Sequence, residues 1–320
     1  MSVLLVQPYR FTFRCEDPVY FPAGMLTNHL RGAFGLIFRR MVCRPGCSDC
    51  VSCSEVQTCP YARLFSPRLE GPGPADMADL PRSFLLRPPT LRELHLAAGQ
   101  TFTIDLHLFD LAQPFLRYFI WALSQLADEG LGAGRPRVQL ESVARLSVDC
   151  MPQEVVFDKQ GMRADAEQQA LCLSFESPTM LVTRLRLVFH TPTELKHHGT
   201  LLREPHFPAI IARARDRISA LSRFYQNTLL EADFRGLGER AHIVRLLHSK
   251  TQQVSAERQS LRTGIRHELG GFLGHADYEG DLTEFVPYLR AAYWTGIGKQ
   301  TVWGHGAIQT ILLTSPPHLI

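Results

Sequence analysis

The chain has 320 residues, with 34 Lys+Arg against 31 Asp+Glu, 45% apolar residues and 20% charged ones. These are ordinary globular proportions, which exclude low-complexity fibres and a wholly disordered chain, and the length predicts two domains. No apolar run reaches the roughly 18 residues of a membrane span, and Met1 to Pro8 lack a secretory pattern, so a cytoplasmic protein is expected. The net charge of +3 excludes a uniformly basic coat. It conceals two basic regions: residues 1–68 hold 8 bases and 4 acids, and residues 201–270 hold 12 and 7.

In chain order, the loose alternation of Val3, Leu5, Phe11 and Phe13 predicts a strand over 3–14. Residues 25–42 predict a helix, because Leu26, Leu30, Phe34, Ile37, Phe38 and Met41 recur at three- and four-residue steps. A cysteine stretch follows, closed by Tyr61 to Phe65, and the Pro/Gly-rich residues 66–81 predict an irregular loop. Strands are expected at 83–87 and 101–110. Pro114 opens a helix to about 127, and a strand covers 137–147. The second half repeats the order. A strand runs from Leu181 to Phe189, with a turn at Thr191-Pro192-Thr193. Pro208 opens a helix to about Leu230, strands occupy 241–275, a helix 282–293, and Ala307 to Leu313 form the last strand.

Each half thus reads strand, helix, two strands, helix, strand, with a glycine-rich loop before its last strand. That order predicts an α+β fold of two tandem ferredoxin-like domains, 1–165 and 166–320.

Five of the eight cysteines, Cys43, Cys47, Cys50, Cys53 and Cys59, lie within 17 residues. In a reducing compartment such crowding predicts a metal site rather than disulfides. Four thiolates complete a tetrahedral structural zinc site with no open position for catalysis. Five leave one spare, and spacing does not say which. The C-x2-C steps before Cys59-Pro60 also resemble an iron–sulfur run, although the last gap is five residues rather than three.

The segment Gly296-Ile297-Gly298-Lys299-Gln300-Thr301-Val302-Trp303-Gly304-His305-Gly306 matches neither nucleotide-loop pattern. Glycines at this density let one backbone approach another, whether as a tight helix-to-strand connection or to offer Lys299, Gln300 and Thr301 to phosphates. Residues 242–267 carry Arg245, Lys250, Arg258, Arg262, Arg266, His248 and His267 with the single acid Glu257, which suits a β-hairpin that tracks RNA phosphates.

These segments carry a family resemblance. The glycine-rich loop at 296–306 resembles that of the RAMP superfamily of CRISPR-associated proteins, and within it the endoribonuclease that processes precursor CRISPR RNA. Leu30-Arg31-Gly32-Ala33-Phe34-Gly35 resembles the first-helix motif of one branch. The cysteine-rich segment at about 43–65 resembles that branch's four-cysteine insertion, whose quartet maps onto Cys43, Cys50, Cys53 and Cys59 and leaves Cys47 over. Phe189 to Lys196 resemble the start of the second domain, and Arg217 to Leu221 fall in its arginine-bearing helix.

The resemblance implies cleavage within CRISPR repeats to mature crRNA, by attack of a ribose 2′-hydroxyl that needs no metal and leaves a 2′,3′-cyclic phosphate and a 5′-hydroxyl. Such chemistry needs a base, an acid and cations around the phosphorane. His29 matches the first-helix histidine of many members, with Tyr20 as a partner, Arg31 as a charge and His305 as the second histidine candidate. Zinc is implied as a structural ion only. Repeat RNA is the implied partner, with other CRISPR effector subunits as further candidate partners, and no membrane. The rival expectation is a non-catalytic RAMP subunit that binds crRNA within an effector complex.

Overall fold

The structure is a computed structural model. It describes residues 2–47, 49–68, 80–88, 92–131, 134–166, 169–197, 199–259 and 266–313, with 256–259 and 266–269 described by backbone alone. The chain divides into two compact units, Val6–Leu171 and Cys172–Ile320 with Met1–Leu5. The break falls at 171/172, where the sequence reading placed it at 165/166.

The first unit contains β1 (Val3–Cys15), β2 (Val19–Phe21), α1 (Leu26–Val42), α2 (Pro60–Phe65), β3 (Phe84–Arg87), β4 (Leu94–Leu96), β5 (Thr101–Leu108), α3 (Phe115–Glu129), β6 (Val138–Leu146), β7 (Pro152–Asp158) and β8 (Gly161–Met162). Its main sheet is ordered β3-β5-β1-β6, with antiparallel neighbours, and β7 and β8 extend it beyond β6. Phe11, Phe13 and Cys15 of β1 point into the core, while Arg10 and Arg14 on the other face bind Asp105 at 2.7 Å and Glu141 at 2.5 Å. The period-2 pattern of β1 thus separates an apolar face from an ion-paired one.

The predicted apolar stripe of α1 is buried at Leu26, Leu30, Phe34, Ile37 and Phe38. It packs against α3 and β3. Phe34 stacks on Phe119 with ring centroids 4.2 Å apart, and Phe38, Phe65 and Phe84 close around it.

The second unit follows the short strand β9 (Leu171–Ser174). It contains β10 (Arg184–Thr193), β11 (Lys196–His197), β12 (Thr200–Leu201), α4 (Phe207–Gln226), α5 (Phe234–Ala241), β13 (Arg245–Gln259), β14 (Arg266–Glu279), α6 (Val286–Thr295) and β15 (Ile308–Leu312). Its sheet is ordered β13-β14-β10-β15, again antiparallel throughout. Renumbered within each unit, both sheets have the order 2-3-1-4 with two crossover helices. The fold is therefore α+β with two ferredoxin-like units. No helix among the described residues is long and apolar enough to cross a membrane.

Three local expectations need correction. Thr191-Pro192-Thr193 is not a turn: β10 runs through it, with an irregular register against β14 between Phe189 and Thr193 that accommodates the proline, which has no N–H to donate. The helix opened by Pro208 stops at Gln226, because Asn227 turns left-handed at φ 50° and ends it. The region expected to be strand from 241 begins instead with the end of α5, and β13 starts at Arg245. Asp233 caps α5 by accepting from Gly236 N–H at 2.9 Å.

Candidate functional site

His29 sits in the first turn of α1, its N–H donating to Met25 C=O at 2.9 Å. Its ring lies 6.3 Å from Phe21. The Nδ1 atom is buried without a hydrogen-bond partner, as is Oδ1 of the neighbouring Asn28. Burial holds the His29 imidazole below its ordinary pKa of 6.5, so it is neutral at physiological pH. A neutral, half-buried imidazole has the ionisation state of a general base.

Tyr20 does not join it. Along β2 the side chains alternate, with Val19 and Phe21 buried and Tyr20 exposed. Tyr20 therefore projects from the ribbon face opposite to Phe21 and stacks on His95, 4.6 Å between ring centroids. Arg31 packs its guanidinium over the ring of Phe65 at 5.0 Å, which ties it to the core.

The glycine-rich loop is a tight connection folded against the end of β10. Ile297 N–H donates to Gly306 C=O at 2.9 Å, Lys299 N–H to Glu194 C=O at 3.2 Å and Gly306 N–H to Pro192 C=O at 3.0 Å. A Cβ on Gly306 would stand 1.9 Å from Ile297 O, and one on Gly298 2.3 Å from Glu194 O. Both glycines also have positive φ, at 66° and 73°. Gly306→Ala is accordingly expected to cost at least about 1–3 kcal/mol, read as a shift of the urea midpoint.

Within this loop Thr301 is buried, and Lys299 pairs with Glu194 at 3.1 Å. Gln300 adopts the left-handed conformation at φ 63°. His305 is buried enough to be pushed down to about 4 from 6.5, with its Nδ1 buried and unpartnered. Between those values the folded chain binds fewer protons than the unfolded one, so stability rises with pH. The His305 contribution, about 3 kcal/mol, is fully present above pH 6.5 and is lost as pH falls toward 4. Denaturation at pH 5 and pH 7 should show a gap that His305→Gln narrows.

The basic segment forms the long hairpin β13–β14, which includes Arg258 opposite His267 and Gln259 opposite Arg266. Arg262 lies outside the described residues. Lys250 is exposed opposite His275, and His248 is exposed opposite Asp277. Arg245 is committed to Glu279, which also binds Arg184 at 2.5 Å. Arg217, from α4, donates to Thr295 C=O at 2.6 Å and so caps the end of α6. Trp294 is buried.

In the cysteine segment, Asp49 accepts from Ser52 N–H and Oγ at 2.9 and 2.8 Å and shapes the turn between Cys47 and Cys53. Arg39 donates to Cys47 C=O at 2.6 Å. The thiols lie close enough to influence one another: Cys59, Cys47 and Cys50 act on Cys43, and Cys53 and Cys50 act on Cys47. Burial and the neighbouring thiols push Cys43 up to about 12. The donor set is soft and crowded, which fits zinc. Among the described residues no three ligand side chains yet converge as a formed ion site. Cys47, the residue that the resemblance leaves over, and Cys50 both lie among these neighbours.

Residues 187–308 match the family model for the CRISPR-associated endoribonuclease Cas6, and residues 4–169 match that for the N-terminal domain AF_1859_N. The Cas6 model thus covers most of the second unit, and a different model covers the first. It is similar to a solved Cas6 product complex at 18% identity, covering 96% of this chain and 100% of that one, with a TM-score of 0.57. Cas6 of Thermus thermophilus aligns at 16% identity over 97% and 100%, with a TM-score of 0.53. A partial Cas6-RT-Cas1–Cas2 complex aligns at 12% identity over 99% of this chain but 47% of that chain, with a TM-score of 0.58. No curated protein matches the chain. At these identities the likeness to Cas6 structures carries the fold, and the residues must carry the chemistry.

For a Cas6-family endoribonuclease, the two histidine candidates are not equivalent. His29 lies at the start of a helix in one unit, and His305 is locked into a backbone-packed loop in the other. Sequence reasoning did not single out His95. It belongs to no motif, and only its pairing opposite Tyr20 brings it into view.

Proposed function

We propose that this chain cleaves precursor CRISPR RNA within each repeat to give mature crRNA. The match of residues 187–308 to the Cas6 endoribonuclease family is the observation that carries this reading. The ribose 2′-hydroxyl attacks the adjacent phosphate, leaving a 2′,3′-cyclic phosphate and a 5′-hydroxyl. His29, kept neutral by burial, takes the 2′-hydroxyl proton as the new P–O2′ bond forms, and the 5′-oxygen leaves as the P–O5′ bond breaks, taking a proton from solvent water. Lys250 and the other basic residues of the β13–β14 hairpin hold the RNA backbone, which makes binding fall with salt. His305, held far below neutral pH, lacks the proton that a general acid must give. A relative solved as a product complex is in keeping with a site that retains its RNA.

Incubation of the protein with its cognate repeat RNA separates this from a non-catalytic crRNA-binding subunit. Discrete cleavage is the expected result; tight binding with intact RNA would favour the subunit and overturn the enzyme.

A structural zinc ion is the second part of the proposal. Cys43, Cys53 and Cys59 belong to the resemblance-based quartet and lie among mutually close thiols, and the fourth ligand is Cys47 or Cys50. Bound there, zinc would tie the start of α2 to the end of α1. Mass spectrometry should find one zinc per chain, lost in Cys59→Ser. Comparing Cys47→Ser with Cys50→Ser identifies the fourth ligand. A zinc-free wild type would contradict the site, and a coloured iron-bearing one would replace it with a cluster.

A further inference from the structure

We propose that the Tyr20–His95 pair is a stacking platform for an unpaired RNA base. This rests on the reading that the chain binds RNA and adds a base-recognition site to it. The pair stands on a two-stranded ribbon, β2 with β4, whose register puts Val19 opposite Leu96, Tyr20 opposite His95 and Phe21 opposite Leu94. Phe21 anchors one face of the ribbon, edge-on to Phe102 at 5.5 Å and beside His29 at 6.3 Å. The other face carries the two rings, 4.6 Å apart and tilted by 34°. Tyr20 is 51% exposed and the His95 side chain 69% exposed.

Two aromatic rings fixed against each other with their outer surfaces in water leave π-faces for a third ring. Stacking of this kind tolerates any base and works on single strands, where base faces are open. Glu93 is 3.6 Å from His95 Nε2, and the exposed Arg92 precedes it, so acid and base offset each other beside the rings. What the pair itself presents is open ring faces, which suit a base rather than a phosphate. The anchor also sets the location. Phe21 lies beside His29 at 6.3 Å on one face of the ribbon, and the platform occupies the other face one residue away along β2. Tyr20 thereby moves from proton transfer to substrate positioning.

The test uses the full chain and repeat RNA, with dissociation constants and single-turnover rates measured together. Tyr20→Ala and His95→Ala are expected to weaken binding by roughly tenfold, with Tyr20→Phe binding like wild type. Circular dichroism of each variant checks that it is folded. Replacing one unpaired nucleotide at a time with an abasic one should reproduce the loss at a single position in wild type, with no further loss in Tyr20→Ala. Wild-type affinity in both alanine variants overturns the platform while leaving the nuclease reading intact. So does a Tyr20→Phe variant that binds as weakly as Tyr20→Ala, since the ring that stacking needs is still present. A wild type that binds no RNA removes the functional reading and the platform together.

Discussion

His29→Ala should lower the rate of repeat cleavage by about 10²–10⁴-fold, the usual worth of a positioned general base, while RNA affinity changes little. The imidazole is half-buried beside Phe21, and its burial holds the pKa below 6.5. The sign of the pH dependence follows. Protonation removes the base, so the wild-type rate should climb with pH through a value below 6.5 and level off at neutrality. In His29→Ala that limb should disappear. His305→Ala offers the contrast: its imidazole is locked in the loop and is expected to affect stability more than chemistry. Normal cleavage by His29→Ala would remove it from the mechanism.

Phe34→Ala should destabilise the first unit by about 3–5 kcal/mol, the cost of deleting a fully buried aromatic ring. Phe34 has no exposed surface and lies in the middle of four other rings, with Phe119 stacked at 4.2 Å and 11° and Phe38 parallel to it at 5.4 Å. That loss is a large part of the roughly 5–15 kcal/mol that holds a domain folded. Because α1 carries both Phe34 and His29, cleavage should fail at a lower temperature as well. A urea midpoint within the equivalent of about 1 kcal/mol of wild type would contradict this packing.

The two ferredoxin-like units were legible because their helices are long and strongly patterned. The stripe from Leu26 to Met41 predicts α1 to within a residue of Leu26–Val42. Elements built by distant pairing were not legible. β2 and β4 are three residues each and pair across some 75 residues, so neither has a period to detect. Tyr20 could be named from the sequence, but its partner His95 could not. α5 was hidden by Gly236 and Gly238, which weaken helix propensity, although Asp233 was a readable cap. The burial that separates His29 from His305 arises from the tertiary environment of each ring, which composition does not carry. Likewise, spacing counted five cysteines, whereas the turn that Asp49 shapes by accepting from Ser52 exists only in the folded segment.

The central claim is RNA cleavage by the chain's own side chains. Its most direct test is to incubate the purified protein with cognate repeat RNA in excess EDTA and analyse the new ends. The account predicts a single cut that persists in EDTA and leaves a 2′,3′-cyclic phosphate and a 5′-hydroxyl. Intact RNA, or cleavage that requires a divalent ion and leaves a 3′-hydroxyl, would contradict it.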